Sequence, residues 1–190
     1  GIEFVQPRQL DKGSVCIIGC PPAPGGGAAR GGGPPPAPAG TPFPKYKPEA
    51  LAKVKDLDQR QVEMDTVLKC QAPGVPRIGP PQKIVQNGRE VVFLYNDVSG
   101  GFFRIIPTDG RPHRKDVPAS YLGDGVARWE GDTLVVETTN FNEDTWLTDN
   151  GAFHSKDLKV IERLRRIGDT IEYQAIAQDP AVLAEPWTLQ

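Results

Sequence analysis

Val126-Ala127-Arg128-Trp129-Glu130-Gly131-Asp132-Thr133-Leu134-Val135-Val136-Glu137-Thr138 is two strand-forming runs folded about a three-residue turn. β-branched and aromatic residues fill both arms, and Glu130-Gly131-Asp132 supplies the turn chemistry between them. The pattern repeats downstream, where Lys159–Ile167 and Thr170–Ile176 flank Gly168-Asp169. It repeats upstream as well. Val91-Val92-Phe93-Leu94-Tyr95 follows Asn87-Gly88, the strongest short-range hairpin signal in the chain. Phe102-Phe103-Arg104-Ile105-Ile106 is reached through Ser99-Gly100-Gly101, and Asp109-Gly110 marks the next turn. These runs predict at least six strands with no helical period between them. The expected fold is therefore all-β or β-rich: an antiparallel meander over residues 83–190, closed as a sandwich or a small barrel.

Residues 48–82 read differently. Pro48 suits a first helical turn and Glu49 complements its positive end. Leu51, Val54 and Leu57 recur every three residues, and Met64, Val67 and Leu68 form a second apolar cluster. One bent helix or two short ones is expected, packed on the sheet. Pro73, Pro76, Pro80 and Pro81 then lead into the β domain. Residues 1–47 form an N-terminal arm rich in Gly and Pro. Of the 28 residues from 21 to 48, 17 are Gly or Pro, which leaves too little side chain to build a core. The runs Gly31-Gly32-Gly33 and Pro34-Pro35-Pro36 keep no Gly-x-y period, and no Gly-Lys-Ser/Thr follows to make a phosphate loop.

The 190 residues carry a net charge of -2, which argues against nucleic acid as a main partner. No stretch approaches the roughly 18 consecutive apolar residues of a membrane span. Opening on Gly1, the chain reads as processed or trimmed, with any leader already removed. Cys16, Cys20 and Cys70 are its cysteines. Their spacing matches no metal site, and they stand as disulfide candidates in an oxidising compartment. No metal and no cofactor is expected.

Gly123-Asp124-Gly125-Val126-Ala127-Arg128-Trp129-Glu130-Gly131-Asp132-Thr133-Leu134-Val135-Val136-Glu137-Thr138, followed by Phe141-Asn142 and Thr145-Trp146, resembles a family of small, secreted, β-rich bacterial proteins with no assigned activity. Asp109-Gly110-Arg111-Pro112-His113, His154-Ser155, Val160-Ile161-Glu162-Arg163, Asp179-Pro180 and Pro186-Trp187 extend the resemblance over roughly residues 48–190. The resemblance implies an exported β domain, extracellular or periplasmic, whose chain continues past Gln190.

Several residues invite chemistry. Asp109, His113 and His154 are candidates for an acid/base cluster, since a histidine near neutral pH shuttles protons at modest cost. Tyr95, Arg104, Trp129 and Glu130 are candidates for orienting a ligand. Against this, Trp129 reads more simply as a core residue, and Glu130-Gly131-Asp132 as plain turn chemistry. Arg163, Arg165 and Arg166 read as a solvated ion-pair ladder with Glu162 or Glu172. No catalytic signature is complete, so the sequence by itself assigns no enzymatic activity. The expectation is an exported assembly protein that self-associates through residues 1–47. The alternative is an exported hydrolase, lyase or ligand-binding module using the His/Asp cluster.

Overall fold

The computed structural model describes residues 42–190. The described residues are β-rich and form two antiparallel sheets, one of three strands and one of five. Pro48–Ala50 makes a 3-10 turn that runs into α1 (Leu51–Gln59), followed by α2 (Gln61–Met64) and a second 3-10 turn at Val67–Lys69. The smaller sheet is β1 (Lys83–Gln86), β2 (Glu90–Asp97) and β3 (Gly100–Pro107), in that order. The larger is β4 (Asp124–Glu130), β5 (Thr133–Thr139), β6 (Lys159–Ile167), β7 (Thr170–Gln178) and β8 (Trp187–Leu189).

Local chemistry sets each hairpin. Asn87 Oδ1 accepts the amides of Arg89 (2.8 Å) and Glu90 (3.0 Å), which turns β1 into β2. Gly131 (φ +63°) and Gly168 (φ +59°) open the two-residue loops β4–β5 and β6–β7. A positive φ at the first loop position matches the right-handed twist of the flanking strands, and glycine takes it without strain.

Alternation along the strands builds one core. Val91, Phe93 and Tyr95 of β2 and Ile106 of β3 cluster with Leu134 and Val136 of β5 and with Val160 and Leu164 of β6. The two sheets therefore pack with their apolar faces together, as in a sandwich. The outer face of the larger sheet carries charged pairs beside Val126, Val135, Ile161 and Ile176. There Arg163 pairs with Glu130 (3.0 Å) and Arg165 with Asp132 (3.0 Å).

Four expectations need correction. The ladder partners of the arginines are Glu130 and Asp132, because Glu162 faces inward at a fully buried position. Trp129 is 48% exposed rather than a core residue. Its register with Leu134 puts it on the inner face, but at the hairpin end, where cover from the smaller sheet runs out. α1 packs on the 145–154 loop rather than on a sheet: Lys53 Nζ lies 4.2 Å from the Phe153 ring centroid, and Gly151 abuts the backbone of Val54 and Asp58. Finally, residues 42–47, which composition assigns to the arm, are part of the body. Tyr46 is buried and donates its hydroxyl to the Phe153 carbonyl (2.6 Å), while Trp187 Nε1 donates to the carbonyl of Pro42 (2.6 Å). Residues 1–41 lie outside the described residues, and with them Cys16 and Cys20.

Candidate functional site

A cleft of about 730 Å³ opens between β3, the start of β4 and the loop that joins them. Residues 102–107 of β3 form one wall, and Pro112, Tyr121, Leu122 and Gly123 of the loop face it. Arg111, Arg114 and Asp124 add charge at the loop side. The loop is held by Asp124, which is buried and accepts from Arg114 Nε (2.6 Å), the Arg114 amide (3.0 Å) and His113 Nδ1 (3.1 Å). Burial pushes the Asp124 carboxyl up, but the hydrogen bonds from Arg114 and His113 outweigh it and hold the group below the usual carboxylate range. His113 Nε2 also approaches Glu137 Oε1 at 3.5 Å, and Glu137 in turn holds Lys159 (2.8 Å).

Among the described residues, β3 is an edge strand whose outer side pairs with no other strand. Thr108 donates to the Arg89 carbonyl (2.8 Å), so Arg89 and Thr108 form a hydrogen-bonded pair in the β2–β3 ladder. Pairs of this kind alternate, which turns the amides of Gly101, Phe103 and Ile105 away from β2. Pro107 falls at the next outward position, where its missing N–H breaks no ladder bond. Phe103 and Ile105 are also 63% and 56% exposed.

Behind the cleft sits a buried polar network. Arg104 lines the cleft and donates Nη1 to Tyr95 (3.1 Å) and Nη2 to Thr138 Oγ1 (2.7 Å). The same Nη2 lies 2.7 Å from Glu162 Oε2, which makes a buried ion pair. Glu162 Oε1 accepts from Tyr173 (3.1 Å). Burial pushes the Tyr95 hydroxyl up to about 12. The Tyr173 hydroxyl is raised further, first by burial and then by the Glu162 charge.

The candidates from sequence fall in separate places. Asp109 pairs with Arg111, His113 with Asp124 and Glu137, and His154 with Thr145 and Ser155; the three share no hydrogen bond or ion pair. His154 is buried. Its Nδ1–H donates to the Ser155 carbonyl (2.9 Å), so Nε2 accepts from the Thr145 hydroxyl (2.8 Å). That is the neutral tautomer, which burial favours by lowering the pKa, while the Ser155 hydrogen bond works against it. Tyr95 and Arg104 are together in the buried network behind the cleft, while Trp129 and Glu130 sit on the distant β4–β5 hairpin, Glu130 tied to Arg128 and Arg163. Among the described residues no group of three or more His, Cys, Asp and Glu stands together to hold a metal, and no helix is long and apolar enough to cross a membrane. Cys70 is exposed beside Gln71 and Ala72 of the cleft rim.

Sequence reasoning does not single out the β3 edge or Asp124. The edge is within reach in principle, because Pro107 ends a run that carries no lysine. Asp124 carries no signal until the loop folds onto it. Comparison with known proteins returns no matching family, no significantly similar curated protein and no significantly similar solved structure.

Proposed function

We propose that this is an exported assembly protein, extracellular or periplasmic, whose N-terminal Gly/Pro-rich arm docks on a neighbouring copy. The observation that carries the reading is the edge of β3, which pairs with no other strand among the described residues. Sheet edges are ordinarily protected by shortness, charge or cover. β1 has four residues and begins on Lys83, β8 has three, and β4 carries Arg128 and Glu130. β3 has eight residues, turns the amides of Gly101, Phe103 and Ile105 outward, and faces a cleft instead of another strand. A cleft beside a free edge suits an extended chain, which gains main-chain hydrogen bonds from the edge and apolar contacts from the walls. Proline lowers the entropy such an arm loses on ordering, and glycine permits close approach. A head-to-tail contact of this kind propagates as a filament unless its rotation closes a ring.

Light scattering on the full chain and on a version beginning at Gly40 tests this. The later start keeps the Pro42–Trp187 and Tyr46–Phe153 contacts. The full chain is expected to form large species and the shortened one to stay at monomer or dimer mass. Equal masses for both overturn docking through the arm.

The second reading is an exported ligand-binding module or small-molecule enzyme, supported by a cleft whose volume lies in the range of ligand sites. It draws on Arg104, Arg111, Arg114 and Tyr121 rather than on the Asp109, His113 and His154 cluster. A thermal-shift screen with aromatic carboxylates tests it. Stabilisation that is lost in Arg114→Ala supports it, and no stabilisation by any member removes it.

A further inference from the structure

We propose that the part of the arm that docks is residues 14–18, laid as an added strand along the outer side of β3 in a neighbouring copy, and that the Gly/Pro tract after it is the tether. The inference rests on the arm docking proposed above and names the segment that makes it. By the alternation of the β2–β3 ladder, Gly101, Phe103 and Ile105 turn both their amides and their carbonyls to the cleft side. An occupant has to answer those groups over about five residues, with an N–H at every second position. Proline has no N–H to give and glycine is a weak strand former, and 15 of the 23 residues from 19 to 41 are Gly or Pro. Ser14-Val15-Cys16-Ile17-Ile18 is the longest run within residues 1–41 that is free of Gly, Pro and charge. Three of its five residues are β-branched aliphatics, the type that strands favour.

The walls of the cleft select the same segment. Pro112, Tyr121 and Leu122 face β3, whose Phe103 and Ile105 are exposed. The charged groups of the loop are engaged, Arg114 with Asp124 and Arg111 with Asp109. An uncharged strand that is apolar on both faces fits such a space. Val15 and Ile17 supply one face, and Cys16 and Ile18 the other. Ile2-Glu3-Phe4-Val5 is the other apolar run of the arm, but it would carry Glu3 into a cleft whose arginines already hold carboxylates. The tether has the length the contact needs. Pro42 is held by Trp187 of β8, at one edge of the larger sheet, and the cleft opens beside β4, at the other edge. Those edges are four strand spacings apart, about 19 Å. The 23 residues from 19 to 41 reach about 26 Å as a flexible coil and about 70 Å fully extended. Departure at one edge and reception at the other is the arrangement of a head-to-tail contact.

Sedimentation velocity and amide exchange on the full-length chain test the assignment, with circular dichroism confirming the fold of each variant. Ile17→Pro and Ile18→Pro each remove an N–H from the segment, and one of the two faces β3 whichever alternate residues make the ladder. At least one is expected to weaken association by about tenfold or more, while Ala29→Pro, in the tether, leaves it unchanged. In the wild-type assembly the amides of Gly101, Phe103 and Ile105 are expected to exchange slowly, and in the weakened variant they exchange fast. Association that neither segment variant changes overturns the assignment, and so does an equal loss in Ala29→Pro. Fast exchange at all three amides in the wild-type assembly overturns the site on β3. These results are distinct from a failure of the docking itself. If the version beginning at Gly40 loses assembly but the segment variants keep it, the arm docks through other residues and only this inference falls. If that version assembles as the full chain does, both fall.

Discussion

Arg104 on β3 and Glu162 on β6 meet at 2.7 Å, and both side chains are almost completely buried. The pair fastens the smaller sheet to the larger, with Thr138, Tyr95 and Tyr173 as further partners. Removing one member leaves the other charge buried and alone, so Glu162→Gln is expected to cost about 3–5 kcal/mol. Replacing both at once, as Arg104→Met with Glu162→Leu, is expected to cost clearly less than the sum of the single changes. Urea denaturation of the wild type, Glu162→Gln, Arg104→Met, Glu162→Leu and the double variant measures the differences.

His154 gives the fold a pH dependence. Its folded pKa is lowered by burial, so between that value and the ordinary one near 6.5 the unfolded chain binds more protons than the native one. Its contribution to stability is therefore complete above about pH 6.5 and declines as pH falls through the window below it. The variant His154→Gln is expected to be less stable at pH 8 and to lose this part of the slope. Denaturation midpoints taken from about pH 8 down to about pH 5 give the comparison.

Gly151 and Gly131 share a left-handed backbone but differ in their surroundings. A Cβ on Gly151 (φ +74°) would stand 2.5 Å from the Val54 carbonyl oxygen and 2.6 Å from the Asp58 amide. On Gly131 (φ +63°) it would meet nothing within 4 Å. Gly131→Ala is expected to lose only the conformational cost, about 1–2 kcal/mol. Gly151→Ala is expected to lose more, because backbone of α1 must move away from the 145–154 loop. Thermal denaturation ranks the two.

Asp124 holds the wall of the cleft. Asp124→Asn removes the charge that Arg114 and His113 bind and is expected to raise amide exchange across residues 111–123 while β5 and β6 stay protected. The wild-type carboxyl has a lowered folded pKa, so its contribution is present above the unfolded value of about 3.9 and is lost as pH falls through the folded one. Exchange of the wild-type loop is accordingly expected to approach that of the variant only in strong acid. Uniform exchange in both proteins would show that Asp124 does not organise the loop.

The hairpins are legible in the sequence because their causes are local. Asn87-Gly88, Gly131-Asp132 and Gly168-Asp169 each act on residues next to them, and alternating side chains carry the strand signal by themselves. β8 gives no such signal, since three residues around Trp187 have no period to detect. Trp129 departs from expectation for a different reason. Alternation places it on the inner face, but nothing in its neighbourhood tells where the opposing sheet ends.

The antiparallel β architecture, its turns and the helical segment ahead of it follow from residues a few positions apart, and the sequence alone determined them. Tertiary structure decided which charges are buried and which edge is free. Arg104 stands 34 positions from the Thr138 hydroxyl it holds, and Trp187 145 from the Pro42 carbonyl. Such partners meet only once the sheets have packed, so no local pattern joins them.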